Sequence, residues 1–429
     1  MKEAVTPPTA RNQLSWGIRV NLAQFALLAV IVFWVGSVVG VERVVVPLLG
    51  TERFGLTSYL AILGFVASFW FVKAFLNLGA GRLADRWGRR PTLIVGWLVV
   101  LPVPFLLAFA PSWDWVIAAN ALVGVNQGLA WSMSVTSQID LAGPRSRGLA
   151  VGVNEAAGYA GVTVGAIVGA ILAVTYLSVY PYVYLLGVIL VALALSVVLV
   201  RETHDHALRE TAAAIDRPLA AAPPSGSAPG GWLVTFVRAT WRDRNLAACN
   251  QAGLIEKFVD TVAWGLFPVF FVARGVSLPM VGILVGLYTG VWAVLQLFTG
   301  ALSDRIGRRI PIVVGMELAG AGVALTAIAP SLLGWVAGAV AMGTGMALLY
   351  PTLLAAVSDL AKPSERGTTL GVYRFWRDSG YGIGAIASGL VADAVGLRGG
   401  FLVVALLMAV SGGIVATLLR TGPKYSHPP

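Results

Sequence analysis

Charge is scarce in this sequence. Only 12% of its 429 residues are Asp, Glu, Lys or Arg, against about 25% in a soluble domain, which excludes an ordinary water-soluble enzyme. Cysteine is almost absent: Cys249 stands alone, so no intramolecular disulfide can form. There are three histidines. His204 and His206 lie close together in a polar stretch but lack the further ligands of a metal site, and a solvated loop is expected there. None of the five lysines follows a glycine, so the Gly-Lys-Ser/Thr phosphate loop cannot be built. Neither a metal nor a cofactor is expected.

What is abundant is apolar. Hydrophobic residues make up 57% of the chain and the mean hydropathy is +0.81. The alternating strands of an outer-membrane barrel read as far less hydrophobic, which leaves a polytopic helical membrane protein. Twelve apolar runs are bounded by charge, Pro or Gly. They lie near 18–48, 56–80, 91–110, 114–138, 148–175 and 180–200, then 245–273, 279–302, 311–329, 332–358, 367–395 and 399–419. Each is long enough to span a bilayer as a helix that satisfies its own backbone. The first run is too long for a signal peptide, and no small-residue cleavage site follows it.

The net charge of +10 reports topology. With both termini inside, 21 Lys and Arg fall in cytoplasmic segments, while the outer segments hold only Arg43, Arg53, Arg274 and Arg398. No nucleic-acid partner is needed to explain the excess. The polar stretch 201–244, with Pro223-Pro224-Ser225-Gly226-Ser227 and Pro229-Gly230-Gly231, reads as a flexible linker. Its end, Trp232 to Arg244, fits an amphipathic surface helix. The organisation is then a tail 1–15, a six-helix half 16–200, a central loop 201–244, a second half 245–420 and a tail 421–429.

The strongest signal is a repeat at an offset of 219 residues. Gly81-Arg-Leu-Ala-Asp85-Arg86-Trp-Gly88-Arg89-Arg90 recurs as Gly300-Ala-Leu-Ser-Asp304-Arg305-Ile-Gly307-Arg308-Arg309, with seven of ten positions identical. Asp140 and Arg147-Gly148 recur as Asp359 and Arg366-Gly367. Gly124, Gly152, Gly161 and Gly165 recur as Gly343, Gly371, Gly380 and Gly384. Each half has an even number of spans, so the repeats are parallel, and such pairs hold their substrate at the midplane between them.

With both copies of Gly-x-x-x-Asp-Arg-x-Gly-Arg-Arg, the sequence resembles the major facilitator superfamily across about residues 15–420. The resemblance implies an all-α fold of twelve transmembrane helices in two pseudo-symmetric halves. It also implies a secondary transporter working by rocker-switch alternating access on a small-molecule substrate, as a monomer in a bacterial inner membrane. Spans one, four, seven and ten would line the cavity; spans three, six, nine and twelve would face lipid. Asp85 and Asp304 would meet the N-termini of spans eleven and five, latching the outward-open state through the helix dipole. Spans three, six and twelve carry no charge, as lipid-facing helices should; span nine carries Glu317 near one end.

Ionisable groups inside a span mark function by default. Glu256 and Asp260 are four apart in span seven and share a helical face, with Lys257 turned about 100° away. They are the first candidates for proton coupling or for holding a cation. In span eleven, Arg374 and Asp378 can neutralise each other, leaving Arg377 for Glu155 of span five or for an anionic substrate. Lys73 of span two can bridge to Asp378. Tyr159 and Tyr381 each lie one turn beyond a charge. Span four offers Asn120, Asn126, Gln127 and Trp131 to a cavity, and span ten offers Met342, Met346 and Tyr350.

Two transport readings stay open. One is proton-coupled efflux of an amphipathic or cationic compound. The other is uptake of an anionic or zwitterionic metabolite held by Arg374 and Arg377. Drug antiporters of the superfamily usually carry an Arg in span four and Gly-Pro in span five; this chain has Asn120 four residues before Gly124, and span five has no proline. More distant alternatives are a receptor without flux and an intramembrane enzyme using Glu256 and Asp260 as a metal pair.

Overall fold

In the computed structural model, the described residues are 17–143, 146–175, 179–204, 206, 231–361 and 366–420, excepting the side chains of 77–82, 85, 174–175, 231–232 and 366–367. The described residues form helices and no strand. The first half contains α1 (Leu22–Glu52), α2 (Tyr59–Trp87), α3 (Arg89–Val100 with Val103–Ala108), α4 (Trp113–Asn126, a π turn Gln127–Trp131, and Ser132–Ala142), α5 (Arg147–Thr175) and α6 (Tyr180–Val198). The second half contains α7 (Arg244–Gly265 with Phe267–Val272), α8 (Leu278–Ile306), α9 (Arg309–Ile328) and α10 (Leu332–Leu360). The helix Arg366–Leu418 is broken at Gly396, where φ is 79°, into α11 (366–395) and α12 (397–418).

Nine described helices are long and apolar enough to cross a membrane. The broken pair counts once among these. The other two rods are α4, split by its π turn, and α7, which holds four charged residues and breaks ahead of Pro268. The π turn is informative, because such turns often mark functional sites.

The repeated glycines explain how the rods pack. A Cβ on Gly161 would sit 1.9 Å from the Phe33 carbonyl oxygen, and one on Gly165 would sit 2.2 Å from that of Ser37. Only glycine lets α5 lie this close on α1. The repeat partner Gly380 packs on the Leu254 carbonyl, drawing α11 onto α7. Gly124 meets the Phe69 carbonyl, and its partner Gly343 meets Tyr288, the residue 219 positions after Phe69. The sequence repeat is therefore a repeat of helix crossings.

At one end of the bundle, here the loop end, Gly88 (φ 94°) and Gly307 (φ 88°) turn the chain out of α2 and α8. At the far end lie Arg53, Arg274 and Arg398. The halves grip each other towards the far end. Gly282 and Gly286 of α8 abut Ala166, Ile167 and Ala170 of α5, and the Thr163 and Thr289 hydroxyls are 2.9 Å apart. Asp393 of α11 caps the start of α2, accepting from the Ser58 hydroxyl (2.8 Å) and the amides of Tyr59 (2.5 Å) and Leu60 (3.3 Å). Towards the loop end, added Cβ atoms on Gly148 and Gly152 of α5 and Gly371 of α11 would meet nothing within 4 Å. Among the described residues, the halves therefore splay at the loop end.

The linker's last part forms the short helix Gly231–Val237 with a π turn Arg238–Arg242, as its pattern suggests. It docks on α11. Phe236 packs on Phe375 and Trp376, and the Trp376 indole donates to Thr240 (3.1 Å). Leu233 and Trp241 stay exposed.

Candidate translocation site

The centre of the contact between halves is Asp260 of α7, which is fully buried. Both of its oxygens accept from the Arg43 guanidinium, at 2.6 and 3.1 Å. Tyr288 donates to one (3.1 Å) and Tyr381 to the other (2.6 Å). Arg43 also lies 4.8 Å from the Trp264 ring centroid. Two expectations change here. Arg43 is not an outer topology charge: it is 2% exposed, inside α1. Asp260 is not an exchangeable partner of Glu256, because four charge-assisted bonds saturate it; it also has no lone pair to spare for a metal.

Glu256 is separate. It pairs with Lys257, whose Nζ reaches Glu256 Oε1 at 3.0 Å instead of pointing away. The contact lacks hydrogen-bond geometry, so both Glu256 oxygens and the Lys257 ammonium are buried without a hydrogen bond.

A second link joins α5 to α4 and α10. Glu155 accepts from the Trp131 indole (3.0 Å) and, across the halves, from the Tyr350 hydroxyl (3.3 Å). The π turn places Gln127 and Trp131 at its two ends. Lys73 donates to Gln127 (3.4 Å) and sits 4.2 Å from the Trp70 centroid. α2 does pack on α11, with Phe71 against Gly382, yet Lys73 takes these partners in place of the expected bridge to Asp378.

Arg377, expected to be spare, holds Asp378 through Nε (2.9 Å) and Nη2 (2.8 Å). Arg374 is exposed and pairs with no carboxylate among the described residues. Tyr159 packs on Trp292 with centroids 3.9 Å apart and the rings tilted by 34°, and Tyr381 lies flat on Trp70 at 3.4 Å.

Four expected cavity residues belong to the packing. Asn120 donates to Val116 one turn back, and Asn126 donates to Gly96 of α3. Met342 and Met346 are fully buried, Met342 against Gly322 of α9. Other residues at the centre escaped the sequence reading. Trp70, Trp264, Tyr288 and Trp292 look like any aromatic in an apolar run. Glu42 is fully buried and neither oxygen has a hydrogen-bond partner; the rule that an acid inside a span marks function would have found it.

The signature loops hold each half together. Arg89 bonds Asp140 (3.1 Å), and its repeat Arg308 bonds Asp359 (2.9 Å). Arg90 donates to the Val197 carbonyl, and Arg309 donates to that of Ala416, again 219 apart. Asp304 pairs with Arg308 of its own loop at 2.6 Å, so the expected latch onto α5 is not made in this conformation. Arg86 and Arg305 are exposed. The side chains at Gly81 and Asp85 lie outside the described residues.

Strip 201–204 caps the first loop. Glu202 accepts from the amides of Arg89 (2.9 Å) and Arg90 (3.1 Å) at the start of α3, and from those of Thr203 and His204. The His204 ring meets Arg89, and His206 is 6% exposed, so these histidines are packed rather than solvated. Burial pushes the Glu202 carboxyl up, but the four amide donors outweigh it and hold it below the ordinary value of 4.5. Its contribution is therefore complete above about pH 4.5 and fades as the pH falls through the depressed value. Glu202→Ala is expected to cost about 1 kcal/mol, the usual worth of a cap, read as a lower melting temperature at pH 7 that converges on wild type in acid.

A crevice of about 770 Å³ also lies beside α1 and α6, lined by Gln24, Leu27, Val30, Arg90 and Val198. It sits on the outside of the first half, away from the buried charges.

Two helical halves, repeated in sequence and in packing, which close on buried charge at one end and part at the other, define a membrane carrier. A family model described as Major Facilitator Superfamily matches residues 25–249 and 252–429, and the chain belongs to that superfamily. It is a multi-pass membrane transporter, not an enzyme. It is 24% identical over 89% of its length to the uncharacterized MFS-type transporter STM4428 of Salmonella typhimurium, covering 93% of that protein. It is 36% identical to the multidrug resistance protein MdtH of Cronobacter sakazakii, over 30% of this chain and 29% of that one. Among solved structures, the nucleoside transporter NupG matches 92% of this chain and all of its own, with a TM-score of 0.73 at 13% identity. A bacterial homologue of the human lysosomal transporter Spinster, in an inward-facing and unoccupied conformation, covers 94% of this chain and 99% of its own, with a TM-score of 0.67 at 16% identity.

Proposed function

We propose that the chain exports amphipathic organic cations in exchange for protons, by alternating access across a bacterial cytoplasmic membrane, with the loop end inside. The observation that carries this reading is the meeting of aromatic faces and carboxylates between the halves. Trp131, Tyr159, Trp292 and Tyr350 form a continuous run of rings, Tyr381 stacks on Trp70 beside it, and Glu155 and Glu256 are carboxylates with acceptor capacity left over. Ring faces attract cations, and a carboxylate in a span that changes exposure can carry a proton. The Arg-rich loops support the orientation, which makes the splayed conformation inward-facing. The partial likeness to a multidrug resistance protein supports the direction. The anion-uptake reading calls on Arg374 and Arg377 together, and Arg377 is held by Asp378, which leaves Arg374 alone to hold an anion.

The test is transport in proteoliposomes. Glu155→Gln and Glu256→Gln are each expected to lower proton-driven accumulation at least about tenfold, a little over 1 kcal/mol, while exchange of solute for solute persists. Proton-driven transport that survives both changes sinks the reading.

A further inference from the structure

Lys257 is 1% exposed, and a charge so buried is ordinarily paired and hydrogen-bonded. Here its one polar contact among the described residues is Glu256 Oε1 at 3.0 Å, off hydrogen-bond geometry, and neither group has a further polar partner. What surrounds the ammonium is aromatic. The centroids of Tyr350, Trp292 and Tyr381 lie 5.0, 5.1 and 5.4 Å away, inside the roughly 6 Å range over which a ring face attracts a cation. The rings come from α10, α8 and α11, and the carboxylate comes from α7. Three ring faces around an ammonium is the arrangement by which proteins recognise quaternary ammonium ligands.

Each ring of this cage is steadied by the opposite half. Trp292 packs against Tyr159 of α5. The Tyr350 hydroxyl donates to Glu155 of α5. Tyr381 lies on Trp70 of α2, at an interplanar angle of 6°. Opening the far end withdraws α2 and α5, and with them all three supports.

We propose that Trp292, Tyr350 and Tyr381 form a recognition site for the ammonium head of an organic solute, and that Lys257 is the built-in cation that fills it between transport events. This rests on the export reading and names the headgroup site within it. Two ammonium ions cannot share one carboxylate in so dry a site, so an arriving solute displaces Lys257. When the far end opens, the rings lose their supports and release the solute. Lys257 then refills the cage, which lets the empty carrier close again.

The test is calorimetric titration of the full chain in nanodiscs with benzyltrimethylammonium, and with its uncharged isostere neopentylbenzene. Lys257→Met removes the competitor and is expected to tighten benzyltrimethylammonium at least about tenfold. Trp292→Leu is expected to weaken it by a similar factor, as a desolvated cation–π contact implies. The isostere should bind all forms alike. Lys257→Met leaves Glu256 without a counter-charge, so Glu256→Gln/Lys257→Met serves as the charge-balanced form and should still bind tighter than wild type. Equal affinity in wild type and both lysine variants, or no effect of Trp292→Leu, overturns the cage. Counterflow of the same cation in proteoliposomes separates the two ideas. Binding as described without counterflow overturns export alone; counterflow without the binding pattern overturns the cage alone.

Discussion

Arg43→Ala and Asp260→Ala are each expected to destabilise the protein by about 3–5 kcal/mol, the cost of stranding one member of a buried ion pair. The site is harsher than most. Loss of Arg43 leaves a carboxylate at 0% exposure with only the Tyr288 and Tyr381 hydroxyls as donors. Loss of Asp260 leaves a guanidinium at 2% exposure facing Trp264. Replacing both at once, as Arg43→Met/Asp260→Leu, should recover most of the stability, because well-packed apolar pairs match or exceed buried ion pairs. Transport should not recover with it, since the pair ties α1 to α7 in the conformation closed at the far end. Melting curves in detergent check the first statement and proteoliposome flux the second. Single variants that melt with wild type would show that the bidentate contact contributes little.

Gly282→Val is expected to shift the carrier towards the conformation open at the far end. A Cβ at Gly282 would fall 2.3 Å from the Ala170 Cβ and 2.8 Å from the Ala166 carbonyl oxygen, so α8 cannot stay seated on α5. Overpacking of this kind costs about 1–3 kcal/mol, which moves a two-state balance by roughly five- to more than a hundredfold. Asp393→Ala acts in the same direction by uncapping α2, with a smaller cost of about 0.5–2 kcal/mol. Cys249 is buried and is the sole native cysteine. A Thr163→Cys reporter in a Cys249→Ser background can therefore be read by an impermeant maleimide. Labelling should rise in Gly282→Val and rise less in Asp393→Ala. It should be unchanged in Gly413→Val, whose added Cβ meets nothing within 4 Å. Equal labelling in all four backgrounds would show that the α5–α8 seam does not control the far end.

The sequence by itself determined the class of solvent, the repeat and the family. Those properties follow from composition and from residues that recur at one offset, and neither needs long-range geometry. It also determined where the halves repeat their packing, since Gly124, Gly161 and Gly165 and their partners act through the helix beside them. The tertiary structure alone decided which partner each paired buried charge takes. Asp260 and Glu256 are one turn apart, yet one is saturated by Arg43 from a helix 217 residues away, and the other is left with the lysine beside it. Asp378 pairs with Arg377, its neighbour in sequence, which also lies over the Tyr350 ring, and not with Arg374 a turn below. Spacing along a helix says which side chains share a face, but not what the neighbouring helix brings to that face. In a low-dielectric interior the nearest opposite charge dominates, and which charge is nearest is a property of the packed halves.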